Sequence, residues 1–222
     1  MVTDGASKIS PARAWAALAR GNERFVAGRP EHPNQDQSRR ADTAARKQTP
    51  FAVIFGCMDS RVAAEIVFDR GLGDLAVIRT AGHVVDSSVL GSLEFGVVAL
   101  GIPLVVVLGH DQCGAIAAAM DAHTHGTMPR GYLREIVERL TSSLVTTRQG
   151  GRPIEEVDAM EVMEQHVRHT VHLIAERSSA IAERIADGRC AIAGADYCLN
   201  EGRVQLLDAV GDLGDLGAPV QR

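Results

Sequence analysis

Two uninterrupted apolar runs constrain the fold of this chain more than any other feature. Residues 51–55 read F-A-V-I-F and residues 104–108 read L-V-V-V-L, with no polar residue at alternating positions. A strand that is apolar on both faces is typical of a parallel sheet covered by helices on each side. A glycine follows each run, and C-M-D-S-R or H-D-Q-C comes directly after it. Open α/β sheets present their functional sites at such carboxyl ends.

Further segments complete the predicted α/β fold. Residues 75–78 and 191–199 predict two more strands, and residues 203–207 predict an antiparallel edge strand after a tight turn. Helical patterns are predicted at residues 63–68, 84–100, 114–121, 132–147 and 154–186. The alternation predicts a mostly parallel four-stranded sheet with an antiparallel edge strand, flanked by helices and preceded by an N-terminal helical arm.

The 222 residues are predicted to form a single α/β domain. We expect a helical arm and linker at 1–49, a catalytic core at 50–208 and a flexible tail at 209–222. Ser10 and Pro11 predict the start of an amphipathic helix that ends near Gly28. This arm is expected to pack either on its own domain or on a partner subunit, and the sequence leaves both open.

The segment at residues 84–100 is apolar nearly all round, with Gly91 and Gly96 interrupting its large side chains. A helix that is apolar on every side has to be covered on every side, which one sheet cannot do. Its outer face therefore predicts a subunit interface, and we expect a homo-oligomer, either a dimer or a tetramer.

Charge and hydropathy exclude several classes of partner. The formal net charge of -5 gives no basic surface, which argues against nucleic acid. No apolar stretch reaches the roughly 18 residues of a membrane span, and the first residues lack the apolar core of a signal peptide. We predict a cytoplasmic protein with no membrane partner.

Cysteine and histidine at the two strand ends predict a zinc site. Cys57, His110 and Cys113 form a Cys₂His set, and these are ligands that zinc prefers. Cys113 is expected at the start of a helix, where the helix dipole favours a thiolate. The remaining two cysteines, Cys190 and Cys198, lie at opposite ends of an apolar run and are predicted to be packing residues.

Asp59 and Arg61 are expected to decide what the fourth zinc position does. An unpaired Asp59 is itself a good zinc ligand and would close the site. When Asp59 is paired with Arg61 through charge-assisted hydrogen bonds, it is held off the metal and water has room to bind. We therefore predict Asp59 as a ligand only in a closed state, and in the open state as part of a catalytic pair with Arg61.

These motifs resemble those of the β-class carbonic anhydrases. C-M-D-S-R-V at residues 57–62 and G-H-D-Q-C-G at residues 109–114 match the two zinc motifs of that family, C-x-D-x-R and H-x-x-C. R-T-A-G-H and G-S-L-E-F between them are also similar. The resemblance implies a zinc-dependent carbonate dehydratase, in which zinc-bound hydroxide reversibly hydrates carbon dioxide to bicarbonate and a proton. It implies Cys57, His110 and Cys113 as ligands and the Asp59–Arg61 pair as the group that orients hydroxide or gates the metal.

The same resemblance implies three substrate-binding residues. Gln48 matches a glutamine that hydrogen-bonds the substrate, Phe95 matches an aromatic residue lining the carbon dioxide pocket across a dimer interface, and Gly114 matches a pocket glycine. Ala76 replaces a common phenylalanine, which implies a more open pocket wall. Ile54 replaces the tryptophan of a second bicarbonate site found in some bacterial members, so that site is not predicted.

Alternatives remain open from the sequence. The same zinc chemistry would suit carbonyl sulfide or carbon disulfide, and a non-catalytic zinc module would keep Asp59 permanently on the metal. The proton shuttle is not identified, and His83 is the candidate nearest to the motifs. His166, His169 and His172 recur every three residues and are predicted to form a solvated or interface face.

Overall fold

The computed structural model describes residues 9–148 and 151–215 and contains one five-stranded sheet. The strands are β1 (Ala52–Cys57), β2 (Leu75–Thr80), β3 (Leu104–His110), β4 (Ala191–Tyr197) and β5 (Val204–Val210). Their order is β2-β1-β3-β4-β5, in which only the β4–β5 pair is antiparallel. This confirms the predicted sheet and its antiparallel edge strand.

The two faces of the sheet bury separate hydrophobic clusters. In β1, Val53 and Phe55 pack toward one face, while Ala52 and Ile54 pack toward the other. The same alternation holds in β3, so both central strands are buried on both sides, as their apolar runs predict.

Eight helices surround the sheet in the described residues. They are α1 (Pro11–Val26), α2 (Gln37–Ala45), α3 (Ala64–Val67), α4 (Ser87–Glu94), α5 (Gly114–His125), α6 (Leu133–Thr147), α7 (Ala159–Arg177) and α8 (Ser179–Ala186). Helices α5 to α7 lie over the face that includes Val53, and α1 with α3 lies over the face that includes Ile54. None of the helices in the described ranges is long and apolar enough to cross a bilayer.

The arm packs on its own chain. Ser10 caps α1 and Pro11 begins it, as predicted, and the buried side chains of Trp15 and Leu18 join the hydrophobic cluster that contains Phe68. Helix α2, by contrast, has no buried residue. At the other end, β5 continues to Val210 and Leu213 is buried, past the predicted boundary at residue 208. Residues 216–222 lie outside the described part of the chain.

The predicted helix at residues 154–186 is wrong as a single element. A short 3₁₀ turn, Ile154–Glu156, precedes α7, and the chain bends at Ser178 before α8 begins. Ser178 has extended backbone angles, and its hydroxyl caps α8 by accepting from the Ile181 N–H. Because an N-cap residue has non-helical backbone angles, Ser178 ends α7 where it caps α8.

The helix predicted at residues 84–100 begins later and changes its winding. Asp86 caps α4, and after Glu94 the chain continues as a π-helical turn, Phe95–Ala99. Leu93 and Val97 face the sheet, whereas Phe95 remains 57% exposed. One face of this segment is therefore covered by the sheet and the other is open, as the apolar pattern indicates.

Candidate metal centre

The ends of β1 and β3 bring three soft or borderline ligands together. β1 ends at Cys57 and β3 ends at His110, and these two parallel strands are neighbours in the sheet. Cys113 follows in the loop after β3, at the cap position of α5. One potential ligand atom from each residue lies within 4.8 Å of the others, and all three residues are buried. The structure therefore brings together the three predicted ligands.

The histidine presents a free nitrogen to this cluster. His110 Nδ1 lies 2.7 Å from the Asp111 carbonyl oxygen, and because a carbonyl only accepts, Nδ1 carries the proton. Nε2 is buried and has no hydrogen-bond partner in the described residues. A buried acceptor without a partner is costly, and metal coordination would satisfy it. The residues present fit zinc.

The two thiols cannot both ionise without a nearby cation. The neighbouring Cys113 is the main cause that lowers the pKa of Cys57 well below its ordinary value. The pKa of Cys113 rises well above its ordinary value, first because of Cys57 and then because of burial. A divalent cation between them would remove this conflict, since metal binding stabilises both thiolates.

Asp59 and Arg61 form a bidentate ion pair beside this cluster. Arg61 Nε donates to Asp59 Oδ1 at 3.0 Å, and Nη2 donates to Oδ2 at 2.7 Å. The Arg61 backbone N–H also donates to Oδ1 at 2.9 Å. These hydrogen bonds hold the pKa of Asp59 far below its usual range, so the carboxylate is ionised and can only accept. Both carboxylate oxygens face Arg61, which matches the predicted open arrangement.

Four hydrogen bonds that the sequence did not reveal hold the two site loops in place. Arg79 donates from Nε to the Cys57 carbonyl at 2.8 Å and from Nη2 to the Asp59 carbonyl. Arg61 reaches across to the Gln112 carbonyl in the loop after β3. Gly82 donates its backbone N–H to Cys57 Sγ at 3.4 Å. The only sequence signal for Arg79 and Gly82 is their place in R-T-A-G-H at the end of β2.

The predicted substrate-binding residues do not all lie at the metal ligands. Gly114 begins α5 directly after Cys113 and is exposed. Gln48 and Phe95 instead line a surface groove together with Ala76 and Gly91. That groove lies between β2 and the α4 segment, which is α4 together with the π-helical turn that follows it. This side is the open face of the chain.

Two histidines occupy the core beneath the site. His83 and His166 are 1% and 3% exposed, and their ring centroids are 4.4 Å apart. The prediction of a solvated face is therefore wrong for His166, whose ring is fixed by hydrogen bonds inside the core. His83 is not positioned to exchange protons with solvent. Burial lowers the pKa of its imidazole well below the ordinary value.

Comparison with known proteins agrees with this geometry. The profile of the family described as carbonic anhydrase matches residues 52–204, which contain all three ligands. The chain belongs to the carbonic anhydrase family. It is 55% identical over 206 residues to carbonic anhydrase 2 of Mycobacterium tuberculosis strain H37Rv, covering 93% of this chain and 97% of that protein. It is 52% identical to the carbonic anhydrase of Mycolicibacterium smegmatis, covering 93% of this chain and 98% of that protein.

The fold is that of the β-class carbonic anhydrases. A Coccomyxa β-carbonic anhydrase structure has a TM-score of 0.68 at 24% identity, covering 79% of this chain and 80% of that chain. A structure of a tetrameric β-carbonic anhydrase from Sordaria macrospora has a TM-score of 0.67 at 22% identity. The match covers 87% of this chain and 95% of that chain. Zinc is the metal of β-class carbonic anhydrases, and the Cys-His-Cys cluster found here suits it.

Proposed function

We propose that this chain catalyses the reversible hydration of carbon dioxide, with zinc held by Cys57, His110 and Cys113. The observation that carries the proposal is the convergence of these three buried ligands beside an ionised carboxylate. When bound, zinc would supply a nucleophile near neutral pH by lowering the pKa of a coordinated water. The oxygen of that water would add to the carbon of carbon dioxide to give bicarbonate, and the proton that the water loses would pass to solvent.

Asp59 is proposed as the acceptor that orients the attacking oxygen. Its carboxylate cannot donate a hydrogen bond, because Arg61 keeps it ionised. It therefore selects an orientation in which the nucleophile points its own O–H toward Asp59 and a lone pair toward carbon. The closed state, in which Asp59 leaves Arg61 to bind the metal at low pH, remains a prediction. A metal-bound structure at acidic pH with the ion pair intact would contradict it.

A non-catalytic zinc module fits this geometry less well. Such a module needs Asp59 as a permanent fourth ligand. In the structure both oxygens of Asp59 accept hydrogen bonds from Arg61, so a competing partner occupies them. That arrangement supports a site with an exchangeable position.

A homo-oligomer is proposed to complete the substrate pocket. Phe95 is 57% exposed, β2 is an edge strand with partly exposed side chains, and α2 has no buried residue. Gln48 and Phe95 line a groove on this open face rather than the ligand cluster. A second copy of the chain seated on that face would cover the apolar edge and could bring Gln48 and Phe95 to its partner's metal site.

Two variants test the residue roles, one expected to lose the zinc and one expected to keep it. Cys57→Ser should lose most of the bound zinc and all measurable hydration of carbon dioxide. Arg61→Ala should keep about one zinc per chain but lower kcat roughly 100-fold, because Asp59 is released to bind the metal. The measurements are stopped-flow hydration from about pH 6.5 to 9 and metal analysis.

Two control variants are Cys198→Ser and Arg134→Ala. Cys198 is not one of the three residues whose ligand atoms converge, and the side chain of Arg134 pairs with Glu138 on the exposed side of α6. Both controls should match the unaltered protein. Full activity in Cys57→Ser would overturn the assignment of the ligands.

A further inference from the structure

Hydrogen bonds connect a buried histidine on α7 to the sulfur of Cys57. His166 Nε2 lies 3.0 Å from the Gly82 carbonyl oxygen, and the Gly82 N–H donates to Cys57 Sγ at 3.4 Å. Ser143 Oγ on α6 lies 2.9 Å from His166 Nδ1. Because the carbonyl only accepts, Nε2 carries the proton and Nδ1 accepts from the Ser143 hydroxyl. Both nitrogens of His166 are therefore engaged, and the ring orientation is fixed.

Gly82 depends on such external contacts to stay in place. Its φ of 61° lies in the left-handed region, and a Cβ at this position would lie 2.8 Å from the Ala115 Cβ. Glycine has no side chain to anchor it and has the most conformational freedom of any residue. Its position is set by its two peptide groups, one bonded to His166 and the other to Cys57, and by its packing against α5.

The surroundings of this connection are buried. The rings of His83 and His166 are tilted by 39° with their centroids 4.4 Å apart, and Phe55 and His83 are in an edge-to-face arrangement. Burial lowers the pKa of His166 to about 4, so the imidazole stays neutral and keeps the proton arrangement described above. Because these groups are buried, removing one hydrogen-bond partner leaves the other unsatisfied, which has a large effect.

We propose that His166 is a positioning residue for the metal centre, which holds Gly82 so that its N–H keeps donating to the Cys57 thiolate. This inference rests on the proposed role of Cys57 as a zinc ligand. A hydrogen bond to a ligating thiolate stabilises its anionic form and fixes its direction, and such outer contacts typically change metal affinity about 10-fold to 100-fold. Ser143 acts one step further away by selecting the tautomer of His166.

The test compares His166→Leu with His166→Gln. Leucine fills the space without an N–H, whereas the glutamine amide can donate near the position of Nε2. Zinc affinity is measured by competition with a chromophoric chelator, and the thiolate-to-metal charge-transfer band is recorded on the cobalt-substituted protein. We expect His166→Leu to bind zinc about 10-fold more weakly with a shifted band, and His166→Gln to stay within about 3-fold of the unaltered protein.

The control is His172→Leu, a residue of the same helix that pairs with Asp208 on the surface and should change neither measurement. Unaltered zinc affinity and an unaltered band in His166→Leu would overturn the inference while leaving the proposed function intact. If His166→Leu does not fold, Ser143→Ala decides: about 3-fold weaker zinc binding supports the inference, and no change refutes it. If the unaltered protein does not bind zinc or does not hydrate carbon dioxide, the proposed function is refuted instead.

Discussion

At the scale of single residues, Gly82 connects Cys57 to the buried His166 through its backbone, without contributing a side chain. It donates to Cys57, its carbonyl accepts from His166, and it packs against Ala115 of α5. The residue type is required here twice, once for the left-handed backbone and once for the close contact. The sequence motif marks the position but does not say what the glycine touches.

Gly82→Ala should destabilise the metal-free protein more than Gly188→Ala. Both glycines have left-handed backbones, with φ of 61° and 69°, but a Cβ at Gly188 meets nothing within 4 Å. We expect a loss in the free energy of unfolding of about 1 kcal/mol for Gly188→Ala and about 3 kcal/mol for Gly82→Ala. Urea unfolding in the presence of a chelator measures both, and equal losses would show that the Ala115 contact relaxes freely.

Burial of a neutral His166 predicts acid sensitivity. Its pKa is lowered to about 4 in the folded protein by burial, whereas an unfolded histidine titrates near 6.5. Below about pH 6.5 the unfolded chain takes up a proton that the folded chain does not, so stability falls as pH falls. Between pH 7.5 and 5 the loss due to this residue should be about 2 kcal/mol.

His166→Gln provides the reference for this measurement because glutamine does not titrate. The free energy of unfolding, measured by urea titration at each pH without metal, should fall more steeply in the unaltered protein than in the variant. Parallel pH profiles for the two proteins would show that His166 becomes protonated without unfolding.

At the scale of elements, Ser178 separates α7 from α8. Its hydroxyl donates to Glu94 Oε1 at 2.6 Å, and its oxygen accepts from the Ile181 N–H at 3.2 Å. Apolar periodicity continues across this position, which is why the sequence predicted one helix. Ties to Glu94, 84 residues away, become visible only in the folded chain.

Ser178→Ala should therefore cost more than loss of another serine cap. Ser10 caps α1 at an exposed position, where its hydroxyl accepts from the Arg13 N–H at 3.3 Å. We expect a loss in the free energy of unfolding of about 0.5 kcal/mol for Ser10→Ala and about 2 kcal/mol for Ser178→Ala, which also removes the donor to Glu94. Urea unfolding of both variants measures the difference, and similar losses would mean that solvent replaces the Glu94 contact.

At the scale of the whole molecule, the open face formed by β2 and the α4 segment is an apolar surface that the described part of the fold leaves uncovered. Phe95→Arg places a charge at its exposed aromatic residue and should yield a monomer near 23.6 kDa by light scattering. Activity should fall at least about 10-fold if a partner completes the pocket. Tyr132→Arg is the matched control, because Tyr132 is 87% exposed in the segment before α6. Assembly of Phe95→Arg to the size of the unaltered protein would contradict this interface.

Much of the fold and of the site could be predicted because their signals are local. The apolar runs of β1 and β3 identify buried parallel strands. Cys57 and His110 are the last residues of those strands, and Cys113 comes shortly after β3. Neighbouring parallel strands end at the same edge of a sheet, so two such strands side by side predict that these residues meet. Asp59 and Arg61 are two residues apart, and their pairing is equally local.

Tertiary structure decided the contacts between segments far apart in the chain. His166 carries the same surface-like spacing as His172, yet one is buried against Gly82 and the other is exposed beside Asp208. Periodicity reports which side of a helix a residue occupies, but not which element covers that side. The sequence by itself therefore determined the strands and the candidate ligands, because each is marked by a pattern of adjacent residues. The support beneath Cys57 depended on packing of α6 and α7 over the site, which only the folded structure decided.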